Sequence, residues 1–133
     1  MDKGIIKRMD KGIIKGTVLV VDDDPDIIDF LETALEDAGY LVLASVDAES
    51  LGVAHELYPD VIFLDINMPG MTGVEVSQRL RDNPVTANIP IIVKSAQDRL
   101  QVTGPLMPVN DRLSKPFELA RLYDVVAHWT PAA

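Results

Sequence analysis

Short apolar runs alternate with amphipathic segments along this chain, and this alternation limits the fold more than any other feature. Unbroken apolar runs of about four residues are typical of strands that are buried on both faces of a sheet. A fifth, weaker strand is predicted near Arg112-Leu113-Ser114. The four strong runs are Val18-Leu19-Val20-Val21, Leu41-Val42-Leu43-Ala44, Val61-Ile62-Phe63-Leu64 and Pro90-Ile91-Ile92-Val93.

Helices are predicted between these strands. Asp24 suits an N-cap, Pro25 suits the first helical position, and Gly39 ends the helical periodicity that follows. Strands that alternate with helices predict an α/β fold, a doubly wound parallel sheet with helices on both faces. Further helices are predicted over 47–57, 74–81 and 118–129, the last with an apolar stripe of Leu119, Leu122, Val125, Val126 and Trp129.

The helical pattern fails between the fourth and fifth strands. Gly104, Pro105 and Pro108 stand where a full helix would be expected. Proline destabilises a helix interior by about 3 kcal/mol, so only a short or irregular helix around 97–102 is predicted.

The first sixteen residues differ in character from the rest. They contain MDKGIIK twice, at 1–7 and 9–15, and carry a net charge of +3. Two interpretations remain open: a duplicated start with Met9 as an alternative first residue, or a basic arm that contacts a partner. We expect little order over 1–16 and a single domain over 17–133.

Charge and composition narrow the classes of function. The whole chain has a formal net charge of −9, so the part after residue 16 is more acidic still. An acidic surface argues against direct binding to nucleic acid. The absence of cysteine excludes a disulfide framework and a thiolate metal site. With no run of about 20 apolar residues and no secretory signal pattern, we expect a cytoplasmic protein without membrane contact.

Polar residues follow the predicted strands at the points where they end. Because the carboxyl ends of parallel strands meet at one edge of the sheet, these side chains should converge. Clustered carboxylates repel one another, and Mg²⁺, which prefers oxygen ligands, relieves that repulsion. A hydroxyl and an ammonium beside a metal suit phosphoryl transfer. The residues are Asp22, Asp23, Asp24, Asp65, Ser95 and Lys115.

Four motifs resemble the receiver domains of bacterial two-component response regulators, in particular single-domain chemotaxis regulators. The resemblance covers about 17–129 and implies a flavodoxin-like, five-stranded sheet of order 2-1-3-4-5. It also implies a phosphoacceptor signalling switch. The motifs are VLVVDDDP at 18–25, VIFLDINMPGMTG at 61–73, PIIVKSA at 90–96 and SKPF at 114–117.

The resemblance assigns the metal site. Asp65 would be the phosphoacceptor and would also contact Mg²⁺ (or Mn²⁺). Asp23 would bind the metal directly, Asp22 through a water molecule, and Asn67 through its backbone carbonyl.

The resemblance also assigns the phosphoryl-binding groups. The Ser95 hydroxyl, the Ala96 backbone N–H and Lys115 would hold the phosphoryl oxygens. Asn67 and Gln97 would tune the lifetime of the phosphoryl group.

The donor implied by the resemblance is the phosphohistidine of a histidine kinase or a histidine phosphotransfer protein. The chain would not be an enzyme in the ordinary sense, because it would catalyse only its own phosphorylation and slow dephosphorylation. No effector domain is expected beyond Trp129, so the output would pass to a downstream protein partner.

Two residues depart from the family pattern. Arg112 stands where an aromatic residue usually acts together with the hydroxyl residue, here Ser95, as a switch. Lys94 precedes Ser95 where an apolar strand residue is usual. Together with the irregular segment at 97–110, these departures leave the mode of output open.

Two rival functions and several simpler interpretations of single residues remain open. A pseudo-receiver would keep the fold but bind partners without phosphate, and a haloacid-dehalogenase-like phosphatase would use Asp22 as its nucleophile. Asp24 is interpreted mainly as a helix cap and Trp129 as a packing anchor. His55 and His128 are interpreted as structural or exposed residues.

Overall fold

The computed structural model describes residues 14–45, 49–65, 73–96, 109–115 and 118–130. The side chains at 49–51, 73–74, 95–96 and 114–115 lie outside that description. The predictions for 1–13, for the short helix at 97–102, and for Asn67 and Gln97 therefore fall outside the described residues.

Five parallel strands form one sheet of order β2-β1-β3-β4-β5, as predicted. The two central strands, β1 and β3, lie in register with Val21 opposite Leu64. The strands are β1 (Gly16–Val21), β2 (Tyr40–Ser45), β3 (Val61–Asp65), β4 (Ile91–Ala96) and β5 (Asp111–Lys115).

Four helices are described: α1 (Pro25–Asp37), α2 (Glu49–Leu57), α3 (Gly73–Asp82) and α4 (Leu119–Trp129). The cap predicted for α1 is confirmed, because the Asp24 side chain accepts a hydrogen bond from the Asp26 backbone N–H at 3.0 Å and Pro25 begins the helix. At the other end Gly39 adopts a φ of +101°, a left-handed conformation that favours glycine.

The core has two parts, one on each face of the sheet. Val18 and Val20 of β1 pack with α1 and α4 on one face, which we call the α1/α4 face. Leu19 and Val21 pack with α2 and α3 on the other, the α2/α3 face. Successive side chains of a strand point to opposite faces, so strands buried on both faces must be apolar throughout. The doubly wound architecture is therefore confirmed.

The structure differs from the predictions in detail. The strand β1 begins at Gly16, two residues earlier than the apolar run. Leu119, predicted in the buried stripe of the last helix, is 44% exposed because it lies in the first turn of α4, at the rim of the core. His55, interpreted as structural or exposed, is exposed, and its Nδ1 atom lies 2.9 Å from the Asn83 side-chain nitrogen. Trp129 packs against the core, as predicted.

Among the described residues, no helix has the length and apolar character needed to cross a membrane.

Candidate metal centre

The carboxyl ends of β1 and β3 bring three carboxylates together. Asp22 and Asp23 follow β1 directly, and Asp65 is the last residue of β3. Because Val21 pairs with Leu64, Asp22 comes level with Asp65 on the neighbouring strand. Potential ligand oxygens of the three side chains all lie within 4.8 Å of one another. We call Asp22, Asp23 and Asp65 the acidic triad.

Burial divides the triad into an inner and an outer part. Asp22 is fully buried and Asp65 is 6% exposed, whereas Asp23 is exposed to solvent. Carboxylates removed from water need charged or hydrogen-bonding partners to remain ionised at a tolerable free energy. A ligand therefore approaches this site from the Asp23 side and meets the buried pair behind it.

Asp22 is held on both carboxylate oxygens by groups of the protein. Its Oδ1 accepts a hydrogen bond from the Asp24 backbone N–H at 2.9 Å, and its Oδ2 forms an ion pair with the Lys94 ammonium. Its own backbone N–H donates to the Ser45 carbonyl at 3.1 Å, which extends the pairing of β1 with β2 by one residue. Asp22 is thus fixed in orientation before any ligand arrives.

Lys94 is the residue that sequence reasoning singled out without assigning a role. It is fully buried on β4, opposite Asp65 of β3 in the sheet register. Its side chain reaches past β3 to Asp22 on β1. A lysine in an apolar strand gives no sequence signal of such a pairing, because the contact depends on the order of three strands.

The backbones of the other predicted site residues, Ser95, Ala96 and Lys115, lie at the same edge of the sheet. In the register of β4 and β5, Ser95 pairs with Ser114 and Ala96 pairs with Lys115, at the carboxyl ends of both strands. Their backbone positions agree with a common site.

Arg112 lies away from the triad. It is half-buried on β5 opposite Val93, whose side chain belongs to the α2/α3 face. Residues paired across parallel strands point to the same face, so the Arg112 side chain projects to the face opposite Asp65 and Lys94.

The donor set fits a hard divalent cation. Mg²⁺ binds oxygen ligands in an octahedron and is usually held by one or two carboxylates together with water. The triad offers carboxylate oxygens at suitable spacing, one of them open to solvent. The described residues therefore have the chemistry to hold a magnesium ion.

Known proteins are similar to this chain in sequence. The family model for the response regulator receiver domain matches residues 18–127. The transcriptional regulatory protein PrrA of Mycobacterium tuberculosis is 44% identical over 119 residues, which cover 86% of this chain and 49% of that protein. The DNA-binding dual master transcriptional regulator RpaA of Synechocystis is 38% identical over 108 residues, covering 79% of this chain and 45% of that protein. The chain thus spans about half the length of these curated relatives.

Solved structures are also similar to this chain, in fold as well as in sequence. The receiver domain of a sensor histidine kinase from Pseudomonas aeruginosa superimposes with a TM-score of 0.80 at 27% identity, covering 86% of this chain and 96% of that one. That structure has a magnesium ion coordinated in its active site cleft. The chemotaxis protein CheY4 of Vibrio cholerae has a TM-score of 0.75 at 31% identity, covering 85% of this chain and 97% of that one.

Proposed function

This chain belongs to the response regulator receiver domain family, and we propose that it is a phosphoacceptor switch of a two-component phosphorelay. The observation that carries the proposal is the acidic triad, whose oxygens lie within 4.8 Å of one another at the carboxyl edge of the sheet. Asp65 is the acceptor. It is the member of the triad on the central strand β3, between Asp22, which follows β1, and the end of β4.

The transfer step is a displacement at phosphorus. A carboxylate oxygen of Asp65 forms a bond to the phosphorus of a donor phosphohistidine while the phosphorus–nitrogen bond breaks. The histidine nitrogen leaves with the electron pair and takes up a proton. The product is an aspartyl phosphate, which a water molecule later hydrolyses. The chain catalyses only this self-phosphorylation and the slow hydrolysis of the aspartyl phosphate, which restores the carboxylate and releases inorganic phosphate.

Magnesium, when bound, neutralises charge on the carboxylates and on the transferred phosphoryl oxygens. Asp23 would bind it directly, which its solvent exposure supports. Asp22 would act through a water molecule, which is supported by the engagement of both its oxygens with protein donors. The Asn67 carbonyl, which the family resemblance implies as a further ligand, would complete the set.

The ends of β4 and β5 supply the groups that bind the phosphoryl oxygens. These are the Ser95 hydroxyl, the Ala96 N–H and the Lys115 ammonium, and the pairing of Ala96 with Lys115 at the same edge supports this assignment. Asn67 and Gln97 set the lifetime of the aspartyl phosphate. Ser95 begins the conformational response, in which Arg112 takes the position of the usual aromatic residue.

The donor is a histidine kinase or a histidine phosphotransfer protein, and the output is a changed affinity for a protein partner in the cytoplasm. Several relatives are named transcriptional regulators, and this chain corresponds to about half of their length. The net charge of −9 favours a protein contact over direct contact with nucleic acid.

The geometry speaks against the phosphatase alternative. That alternative makes Asp22 the nucleophile, but Asp22 is fully buried and both of its oxygens are engaged by the Asp24 N–H and by Lys94. Asp22 is therefore poorly placed to attack a phosphate ester.

The proposal is tested by intact-mass spectrometry after incubation with acetyl phosphate and Mg²⁺. The wild-type chain should gain one phosphate, and Asp65→Ala or wild type with EDTA should gain none. Asp24→Asn is the matched control: it removes a nearby carboxylate but keeps the helix cap, so its adduct should equal that of the wild type. An adduct on Asp65→Ala, or none on a wild-type chain that binds Mg²⁺, would contradict the proposal, the latter in favour of a pseudo-receiver.

A further inference from the structure

Lys94 occupies a position where burial of a cation needs an explanation. The three residues before it in β4, Ile91, Ile92 and Val93, are apolar and buried. Lys94 itself is fully buried, and a buried ammonium is unfavourable unless it is paired with an anion. A methionine or leucine would fill the same space without that penalty. The residue is therefore better explained by its charge than by its packing.

The sheet register shows where that charge lies. Lys94 is opposite Asp65, and Asp22 comes level with Asp65 from the other side. Lys94, Asp65 and Asp22 follow Ile92, Phe63 and Val20 by two residues on their strands, so all three side chains project to the α1/α4 face. To reach Asp22 from β4, the Lys94 side chain must cross β3 at the level of Asp65. Its ammonium is thus buried with Asp22, whereas Asp23 is exposed to solvent.

We infer that Lys94 is an internal counter-cation of the acidic triad, which stabilises the metal-free site and weakens its affinity for Mg²⁺. This inference deepens the proposed function and rests on it, because it concerns the same metal site. The ammonium neutralises one of the three carboxylate charges that would otherwise attract the metal. It also holds one Asp22 oxygen, so that oxygen is less available to a metal-bound water.

Two consequences follow from the electrostatics. Without Lys94 the triad would bind Mg²⁺ more tightly, because one positive charge fewer would offset the attraction of the three carboxylates for the metal. Without Lys94 the metal-free chain would also be less stable, because Asp22 and Asp65 would be buried together with less compensating charge. Magnesium should restore much of that lost stability by mass action.

The test compares Lys94→Met with wild type by isothermal titration calorimetry with Mg²⁺ alone, without a phosphodonor. We expect the Kd for Mg²⁺ to fall about tenfold, because the substitution removes the repulsion between the Lys94 ammonium and the metal ion. Thermal unfolding with and without Mg²⁺ should show a larger gain in Tm for Lys94→Met than for wild type. Lys15→Met is the matched control, since it removes an exposed lysine at the start of β1, the opposite end of the sheet. Its Kd should stay within about twofold of wild type.

An unchanged or weaker affinity of Lys94→Met for Mg²⁺ would overturn the inference and leave Lys94 as a residue that only stabilises the sheet. Should Lys94→Met not fold without metal, Lys94→Gln provides the same comparison with a side chain that can still donate a hydrogen bond. Failure of both variants to fold even with Mg²⁺ would also contradict the inference, because the metal should supply the missing charge. None of these readouts requires phosphorylation, so a wild-type chain that binds Mg²⁺ but gains no phosphate would refute the proposed function without deciding the role of Lys94.

Discussion

Asp111 is the first residue of β5, and its carboxylate connects that strand to α4. Its Oδ2 accepts a hydrogen bond from the Trp129 indole N–H at 2.9 Å, and its Oδ1 accepts one from the Arg112 backbone N–H at 2.8 Å. The Arg121 guanidinium lies 3.6 Å from the same Oδ1. The contact with Trp129 leaves no signal in the sequence, because it joins residues on two separate elements.

Asp111→Ala should therefore destabilise the chain by about 1–3 kcal/mol, mainly through the unsatisfied indole and backbone N–H groups. The half-exposed ion pair with Arg121 should add little. Urea unfolding monitored by circular dichroism measures the change. Asp124→Ala, which removes an exposed aspartate from α4, is the control and should change the free energy of unfolding by less than about 0.5 kcal/mol. Equal effects of the two substitutions would show that the Asp111 contacts contribute nothing.

Arg81, near the end of α3, is a second residue that joins separate segments. Its guanidinium donates to the Ala87 carbonyl at 2.9 Å, to the Ile89 carbonyl at 2.7 Å and to the Asn110 side-chain oxygen. Burial lowers the pKa of Arg81, yet a guanidinium remains protonated at neutral pH. The planar group thus connects the segments that lead into β4 and β5.

Arg81→Lys should lower the free energy of unfolding by about 1–3 kcal/mol, because an ammonium cannot reproduce the forked set of donors. Arg79→Lys makes the same change at an exposed position of the same helix and should be nearly neutral. Chemical denaturation of the two variants in parallel gives the comparison. If Arg81→Lys left the free energy of unfolding unchanged, a single point charge would suffice at this position.

At the scale of the element, the start of α1 is set by Asp24. Asp24→Ala should destabilise the chain by about 1 kcal/mol through loss of the bond to the Asp26 N–H, and Asp24→Asn should preserve stability. Thermal unfolding of both variants tests this. A loss of stability in Asp24→Asn equal to that in Asp24→Ala would point to the charge rather than the cap.

Sequence patterns predicted the central elements well, for a physical reason. Residues 18–21 of β1 and 61–64 of β3 are fully buried between the two helix layers, so they are all apolar and the pattern is unambiguous. The end of β4 was also predicted closely, near Ser95, and the strand runs to Ala96. The partner of Lys94 was not predicted, because its ion pair with Asp22 joins two strands that are far apart in sequence.

The acidic triad was likewise predictable, because parallel strands present their carboxyl ends at one edge. The sequence did not predict that Asp22 is buried and Asp23 exposed, since the two are neighbours in the chain. That difference arises from the turn after β1, where the Asp24 N–H binds the Asp22 side chain. Leu119 was predicted wrongly because helical periodicity gives the face of a helix but not where its first turn leaves the core.

At the scale of the molecule, both halves of the core share one sheet and should unfold together. Leu80→Ala removes a buried side chain from the α2/α3 face and should destabilise the chain by about 2–5 kcal/mol. Trp129, the single tryptophan, packs on the α1/α4 face. Because unfolding of one small domain is cooperative, Trp129 fluorescence and circular dichroism should shift to the same new midpoint. A fluorescence midpoint left unchanged would show that the two faces unfold separately.

The close approach of Gly16 and Thr130 affects how this domain could be inserted into another protein or circularly permuted. A β-carbon placed on Gly16 would lie 2.7 Å from the Thr130 Cγ2 atom, so residues 16 and 130 are close neighbours in space. A fold that closes on itself in this way can be inserted into a surface loop of a host protein without separating the two ends of that loop. A short peptide bridge between these positions should likewise allow the chain to be reopened elsewhere as a circular permutant. The acidic triad lies at the far end of the strands, so neither rearrangement would disturb it.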